Sequence, residues 1–384
     1  MSTTDTYDVA IIGGGLAGLA LSIQLVRRNY RVVLFEKEKF PFHKVCGEYI
    51  SMESWNFLQS LGLPLAEMEL PLINKLQVTA PDGTSFTSPL PLGGFGISRY
   101  LLDSSLAAIA RSSGVILLEQ TKVEGVSFSE DFLVSYQSFG NGVRSDVIAH
   151  ACCAAYGKRS NLDTAWNRSF VQQGIKKPVN YVGIKYHITG PWPGDLIALH
   201  NFENGYCGIS RIEDNKFCLC YMTQAENLKA FNGNIVEMEQ KILYHNPHLK
   251  KILTECTRLA TFPVTIAQIN FVRKNAVERG VLMIGDAAGT IPPLCGNGMS
   301  MALHGSKIAA SCLDAFLSGG LGRTAMEEQY AHSWNHHFGK RLWMGRTLQQ
   351  FFGRMFLTNI FVATFKLFPP IARRIIRQTH GKPF

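Results

Sequence analysis

Gly13, Gly15 and Gly18 stand at the spacing Gly-x-Gly-x-x-Gly, and Glu36 follows eighteen residues after Gly18. Glycines at this spacing let a backbone close on a diphosphate. Gly13 permits a sharp turn out of a strand. Gly15 lets N–H groups approach a pyrophosphate, and Gly18 lets a helix pack close to the sheet. The positive end of that helix faces the phosphates. Glu36 is spaced to accept hydrogen bonds from an adenosine ribose. These residues predict an adenine dinucleotide. A second group of the same character, Gly285-Asp286 followed by Gly296-Asn297-Gly298-Met299, lies far along the chain.

Such residues need elements to hold them. Val9-Ala10-Ile11-Ile12 predicts a buried strand, Leu19 to Val26 a helix, and Val32 to Phe35 a second strand ending at Glu36. Phe40 to Glu48 is a loop, and Ser51 to Leu61 a helix ended by Gly62. Leu72 to Leu90 predicts a hairpin about Pro81-Asp82-Gly83. Ser98-Arg99 opens a helix that stops at Gly114. Strands follow at Val115–Glu119, Lys122–Ser129, Phe132–Ser138 and Val143–His150, with a turn at Gly140-Asn141-Gly142. Ala151 to Ser160 is a small-residue stretch. Between Lys176 and Phe262 the pattern becomes alternating strands followed by two helices over Asn234–Tyr244 and Pro247–Glu255. Gly280 to Gly289 returns to a buried strand, and a helix runs on through Leu313.

The expected fold class is therefore α/β. A discontinuous Rossmann-type nucleotide-binding domain (1–75, 97–175 and 263–320) carries an inserted, mainly antiparallel β-sheet substrate domain (76–96 and 176–262). A C-terminal helical segment spans 321–384. At 384 residues, 46% apolar and 17% charged, the chain can bury a large core and is not disordered. The polar start, Met1 to Asp8, has no signal-peptide pattern. Nine cysteines without regular spacing argue against a disulfide framework and for a cytoplasmic setting. Cys218-Leu219-Cys220 lacks metal-site spacing, so no metal is expected.

The net charge of +9 comes from 38 basic and 29 acidic residues. No Asp or Glu follows Glu328, whereas Lys340, Arg341, Arg346, Arg354, Lys366, Arg373, Arg374, Arg377 and Lys382 do. Those cations equal the whole excess, so the body is neutral and the tail basic. This argues against nucleic-acid binding.

Together these motifs resemble the FAD-dependent aromatic hydroxylase (group A flavoprotein monooxygenase) and geranylgeranyl reductase superfamily. The matching residues are Gly13, Gly15, Gly18 and Glu36; Cys46-Gly47-Glu48; Arg99; and Gly285-Asp286 through Gly298. The resemblance covers most of residues 7 to 315. It implies resident FAD, with NADPH or NADH as a transient reductant. It implies that Asp286 holds the ribityl chain, that Gly296, Asn297, Gly298 and Met299 face the flavin N1–C2=O edge, and that Arg99 approaches the phosphates or flavin. Leu16, Ala17, Lys37, Cys46, Val123 and Gly285 complete the implied FAD contacts. Where hydroxylases carry an Asp-Gly pair, this chain has Tyr156-Gly157, followed by Lys158-Arg159. The Trp-x-Trp-x-Ile-Pro run of flavin halogenases is absent.

The implied activity is hydroxylation of a small hydrophobic, phenolic or polyketide-like substrate by O2 through a C4a-hydroperoxyflavin. The alternative is a flavin reductase that saturates isoprenoid double bonds, the branch that Val45-Cys46-Gly47-Glu48 resembles. Pro293, Cys46, His200 and Tyr206 are the candidates for chemistry at the substrate, with His187 and Tyr221 as further candidates on the inserted sheet. The tail, Phe351 to Ile371, predicts an apolar helix broken at Pro369-Pro370. Its uncharged run, Met355 to Phe365, is too short to span a bilayer. It either caps the substrate domain or makes a peripheral membrane contact.

Overall fold

The computed structural model describes residues 5–140, 142–176, 180–379 and 381–384. Met1 to Thr4, and Asn141 of the expected turn, lie outside the described residues.

The first sheet is built around Thr6–Ile12, in which Val9, Ala10 and Ile11 are completely buried. A strand covered on both faces reads as a continuous apolar run, which is why Val9 to Ile12 shows no alternation. It pairs in parallel with Val32–Phe35 on one side and Arg144–Ala154 on the other. The order across the sheet is Val277–Glu278, Val281–Met283, Arg144–Ala154, Thr6–Ile12, Val32–Phe35 and Ile116–Leu118. The hairpin Thr121–Phe128/Phe132–Ser138 attaches to Arg144–Ala154. That strand passes its expected end at His150. Ala151 to Ala154 is its C-terminal end, paired with Thr6–Ile12, and Cys153 and Ala154 pair also with Val281–Met283. Small side chains are what this buried position accepts. The distant motif is thus brought to the first one by a single shared strand.

The turn after Thr6–Ile12 depends on close contact. Gly13 has φ +107°, and a Cβ there would lie 2.6 Å from Tyr156 Cα and 2.7 Å from Ala155 O. A Cβ on Gly18 would lie 2.0 Å from Gly13 O and 3.3 Å from Ile11 Cγ2. The helix Leu16–Val26 sits directly on the turn it follows, and its other flank packs on Gly298–Leu317.

The second sheet runs in the order Thr257–Arg258, Tyr181–Thr189, Phe217–Gln224, Gly205–Arg211, Leu196–Phe202, Leu72–Thr79, Ser85–Gly96 and Tyr49–Ser51, with Val264–Ile269 also paired to Tyr181–Thr189. It draws in Tyr49–Ser51 and Val264–Ile269 from outside the expected limits of 76–96 and 176–262. The pairing of Leu196–Phe202 with Leu72–Thr79 is parallel; its other pairings are antiparallel. The helices Ile235–Lys241 and Pro247–Glu255 help to cover one face, over a core that includes Ile184, Leu219 and Met238. The other face looks toward the first sheet.

The C-terminal segment is three helices, with the expected break at Pro369-Pro370. Arg323–Gln349 packs along Gly298–Leu317, with Tyr330, Trp334 and Phe338 buried. Gly353, at φ +80°, separates it from Met355–Leu367. Pro369 then starts Pro369–Thr379, at a bend of 108°. Proline lacks the N–H that would continue the preceding helix. Both short helices lie against Ser85–Gly96. Among the described residues no single helix is long and apolar enough to cross a membrane.

Replacing Gly18 with Ala is expected to destabilise the protein by about 3 kcal/mol, because the contact is with backbone that cannot move aside. Urea unfolding of the purified variant measures this; an unchanged midpoint would mean that the turn is looser than its geometry.

Candidate functional site

A cavity of about 220 Å³ opens where the two sheets meet. Gly15, Leu16 and Ala17 from the first turn form one wall. Gly285, Asp286 and Gly296 to Met299 form another, and Val45 to Tyr49 a third. Gly183, Tyr206, Gly208, Ser210, Cys220 and Met222 contribute from the second sheet. The helix Gly298–Leu317 starts at this wall, with Asn297 as N-cap, so its positive end faces the cavity.

The first turn is shaped for a charged group. A Cβ on Gly15 would have no neighbour nearer than 3.9 Å, and its closest approaches include Arg99 Nη2 at 3.9 Å and Lys44 Nζ at 4.0 Å. Open backbone flanked by two cations is a cradle for a diphosphate. Both cations are held from behind by Asp103, which accepts from Arg99 Nε and Nη2 at 2.7 Å each and lies 3.1 Å from Lys44 Nζ. Burial opposes charge on Arg99, but Asp103 outweighs it and raises the guanidinium pKa. Glu36 is buried nearby, accepting from Gly14 N at 2.9 Å and Glu38 N at 3.0 Å. Asp286 lies 3.3 Å from Lys158 Nζ across the cavity edge, and that carboxylate raises the lysine's pKa. Lys274 donates to the Asp286 carbonyl at 2.8 Å and the Lys158 carbonyl at 2.9 Å. Burial lowers Lys274 to about 8.

The Cys46-Gly47-Glu48 loop joins the two sheets. Glu48 is wholly buried at φ +54°. Its carboxylate pairs with Lys185, accepts from Arg99 N at 2.8 Å and lies 2.6 Å from His187 Nε2. Burial would raise its pKa; the His187 contact and the Lys185 charge win and hold it below the ordinary carboxylate value. Ser210 Oγ donates to Gly47 O at 3.1 Å, and Lys185 Nζ to Lys44 O at 3.2 Å. Cys46 faces the cavity, with Sγ 3.6 Å from Met299 Sδ.

The expected residues therefore divide. Gly13 and Gly18 build the turn; Gly15, Leu16, Ala17, Cys46, Arg99, Gly285, Asp286 and Gly296 to Met299 line one cavity, as do Pro293 and Tyr206. Tyr206 accepts from Leu294 N at 3.0 Å, and burial drives its phenol pKa well up, so it keeps its proton. Lys37 is exposed and lies 3.8 Å from Glu38, away from the cavity. Val123 is buried in the Thr121–Phe128 strand, its carbonyl accepting from Asn161 Nδ2 at 3.2 Å, and does not line the cavity.

His200 is not where the sequence expectation put it. Ile197 and Leu199 of its strand line the cavity, so the two-residue alternation turns His200 to the far face. There Nδ1 meets Thr79 Oγ1 at 2.9 Å and the ring stacks on His248. Tyr221 belongs to the cavity wall, but its hydroxyl is directed away from it, donating to Glu239 at 2.7 Å. His187 is on the correct face but is engaged by Glu48. Tyr156 packs away from the cavity against Asp163 and Arg168. Lys185 and Lys44 carry no sequence signal: a lysine in an alternating strand or in a loop reads as a solvated position, and the acid partner of each is distant in sequence.

Residues 6–340 match the family described as "FAD binding domain". The chain belongs to that family. The open Gly15 backbone, its flanking cations and the facing helix N-terminus fit the FAD that the family implies. The protein is an FAD-dependent flavoenzyme. It is 26% identical to conditioned medium factor receptor 1 of Dictyostelium discoideum, over 91% of this chain and 71% of that one. It is 24% identical to digeranylgeranylglycerophospholipid reductase 1 of Methanothermobacter thermautotrophicus, over 82% and 78%. Its fold matches the myxobacterial chondrochloren halogenase CndH with a TM-score of 0.78 at 19% identity, covering 98% and 91%.

Two measurements test the electrostatics. Lys185→Met leaves Glu48 short of a cation and is expected to cost about 3 kcal/mol by urea unfolding, most of it restored by adding Glu48→Gln. Equal stability of the single and double variants would contradict this. Burial, with His248 adding to it, depresses His200 to about 3. The unfolded chain takes up this proton below its ordinary pKa near 6.5, so the stability is full above that pH and is lost as pH falls toward 3. Wild type should therefore lose about 2 kcal/mol more than His200→Gln between pH 6.5 and 5; parallel stability profiles would contradict the burial.

Proposed function

We propose that this flavoenzyme is a monooxygenase that hydroxylates a phenolic or polyketide-like ring bearing an apolar chain, using NAD(P)H and O2. The observation that carries this is a second cavity, of about 90 Å³, sharing Tyr49, Ile197, Leu199, Pro293 and Gly296 with the first. Its other walls come from Leu76, Val78, Phe86, Leu90, Leu294, Cys295, Leu348, Phe352, Phe361, Phe365, Ile375 and Ile376. None of these carries a charged or amide side chain. One chamber lies against the FAD-binding residues, and the adjoining one is suited to hydrocarbon.

Bound FAD supplies the redox chemistry, passing electrons from NAD(P)H to O2 so that one oxygen enters the substrate and the other leaves as water. The chain supplies position and environment. Arg99, Lys44 and the Gly15 turn hold the diphosphate. The Gly298 helix terminus, whose positive end faces the cavity, would favour negative charge on a flavin held there. Tyr206 stands at the join of the chambers, its ring 6.3 Å from that of Phe352. Leu294 N already donates to its oxygen, so its O–H is directed to an acceptor such as a phenolic oxygen. The apolar second chamber excludes water and fixes the ring through its chain.

A second reading, saturation of an isoprenoid chain, is favoured by Cys46, which puts a thiol on the cavity wall. A series of 4-alkylphenols assayed under ¹⁸O2 separates the two. Hydroxylation predicts one ¹⁸O in the product and substrate-stimulated NAD(P)H oxidation. It also predicts kcat/KM rising about fourfold per methylene until the chamber fills, the worth of about 0.8 kcal/mol per buried CH₂. Val78→Phe should remove the chain-length effect while sparing short phenols. A saturated isoprenoid formed without O2 would replace this proposal with the reductase.

A further inference from the structure

The two helices that close the second chamber have apolar outer faces as well. In Met355–Leu367 the inner stripe is Thr358, Val362 and Phe365, all buried. The opposite stripe, Phe356, Ile360 and Leu367, is 75%, 49% and 73% exposed. It continues around the 108° bend into Phe368 and Ile371, 57% and 47% exposed. Single exposed apolar residues are ordinary; a continuous stripe of large ones marks a surface that something covers.

The charges around it select the cover. Arg354 precedes the stripe, Lys366 lies within it, and Arg373 and Arg374 follow it, all exposed. Among the described residues none of these four is in an ion pair. Arg341, further back, is paired with Glu53 at 3.4 Å and is excluded from the argument. No acidic residue follows Glu328 to offset them. An apolar stripe edged by uncompensated cations complements an anionic bilayer surface. Neither helix spans a bilayer by itself: a helix of 13 residues rises about 20 Å, short of a hydrocarbon core of about 30 Å, and the chain then turns by 108°.

We infer that the elbow between Met355–Leu367 and Pro369–Thr379 docks on an anionic bilayer and admits the substrate's apolar chain from it. Phe361, Phe365 and Ile376 of these helices line the second chamber. One layer of helix therefore separates hydrocarbon outside from hydrocarbon inside. A chain passing between the helices leaves the bilayer without crossing water. Admission of the chain rests on the apolar-substrate reading; docking does not.

The test uses the full-length FAD-loaded protein, without substrate, and vesicles of phosphatidylcholine alone or with 30% phosphatidylglycerol. Sedimentation should show at least tenfold stronger partitioning to the anionic vesicles, falling with salt. Phe356→Asp with Leu367→Asp should lower it at least tenfold with flavin content and thermal midpoint unchanged. Arg373→Glu with Arg374→Glu should erase the preference for the anionic lipid. Equal partitioning of wild type and the Asp variant overturns the docking face. So does a solution dimer dissolved by Leu367→Asp, which would make the stripe a contact between copies. For admission, the Asp variant should turn over a short soluble phenol as wild type does but be at least fivefold slower on a vesicle-borne long-chain phenol. Equal rates on the vesicle-borne substrate overturn admission. Vesicle binding with no phenol turned over at all would overturn the hydroxylase reading and leave docking supported.

Discussion

Glu48 is a wholly buried carboxylate, and the two sheets meet on it. Lys185 and His187 reach it from the inserted sheet, and the first N–H of the Arg99–Ser112 helix reaches it from the nucleotide-binding side. An isolated charge at that depth would be strongly unfavourable, and these three partners offset that cost. The loop carrying Cys46 is stitched to the second sheet by the same group of contacts, including Cys218 Sγ to Cys46 O at 3.2 Å. The cavity is the space left between surfaces that this ion cluster holds at a set separation.

Around the cavity, charge is arranged in pairs of unequal reach. Asp103 sits behind Arg99 and Lys44, and Asp286 beside Lys158, so cations line the edge while most acids are held back or engaged. The arrangement lowers the cost of placing a diphosphate there and leaves the far chamber neutral. Polarity therefore falls from the Gly15 turn to the phenylalanine-lined chamber. That gradient matches the proposed substrate, which has one polar end. The tail continues it: its helices are apolar on the side that faces the chamber and on the side that faces out.

The sequence motifs located the nucleotide-binding half well, because a glycine turn, its strand and its helix are local. Gly13 makes the tight turn and Gly18 the close packing that their spacing implied, and Gly285 and Asp286 line the same cavity as Gly15. The substrate side was less legible. His187, His200, Tyr206 and Tyr221 were indistinguishable as polar residues on strands. Alternation shows that successive side chains oppose one another, but not which parity faces the flavin side, since helices cover the other face of that sheet and it too is buried.

The sequence by itself determined that the N-terminal stretch is a strand, glycine turn and helix shaped for an adenine dinucleotide, and that the tail is basic and apolar. These follow from backbone requirements and composition, which act over a few residues. Only the tertiary structure decided that Lys185 neutralises Glu48, that His200 faces away, and that the tail walls a second chamber. Each of these depends on residues brought together from distant parts of the chain, and burial, not residue type, sets whether such a pair is an ion bridge, a packed ring or a surface.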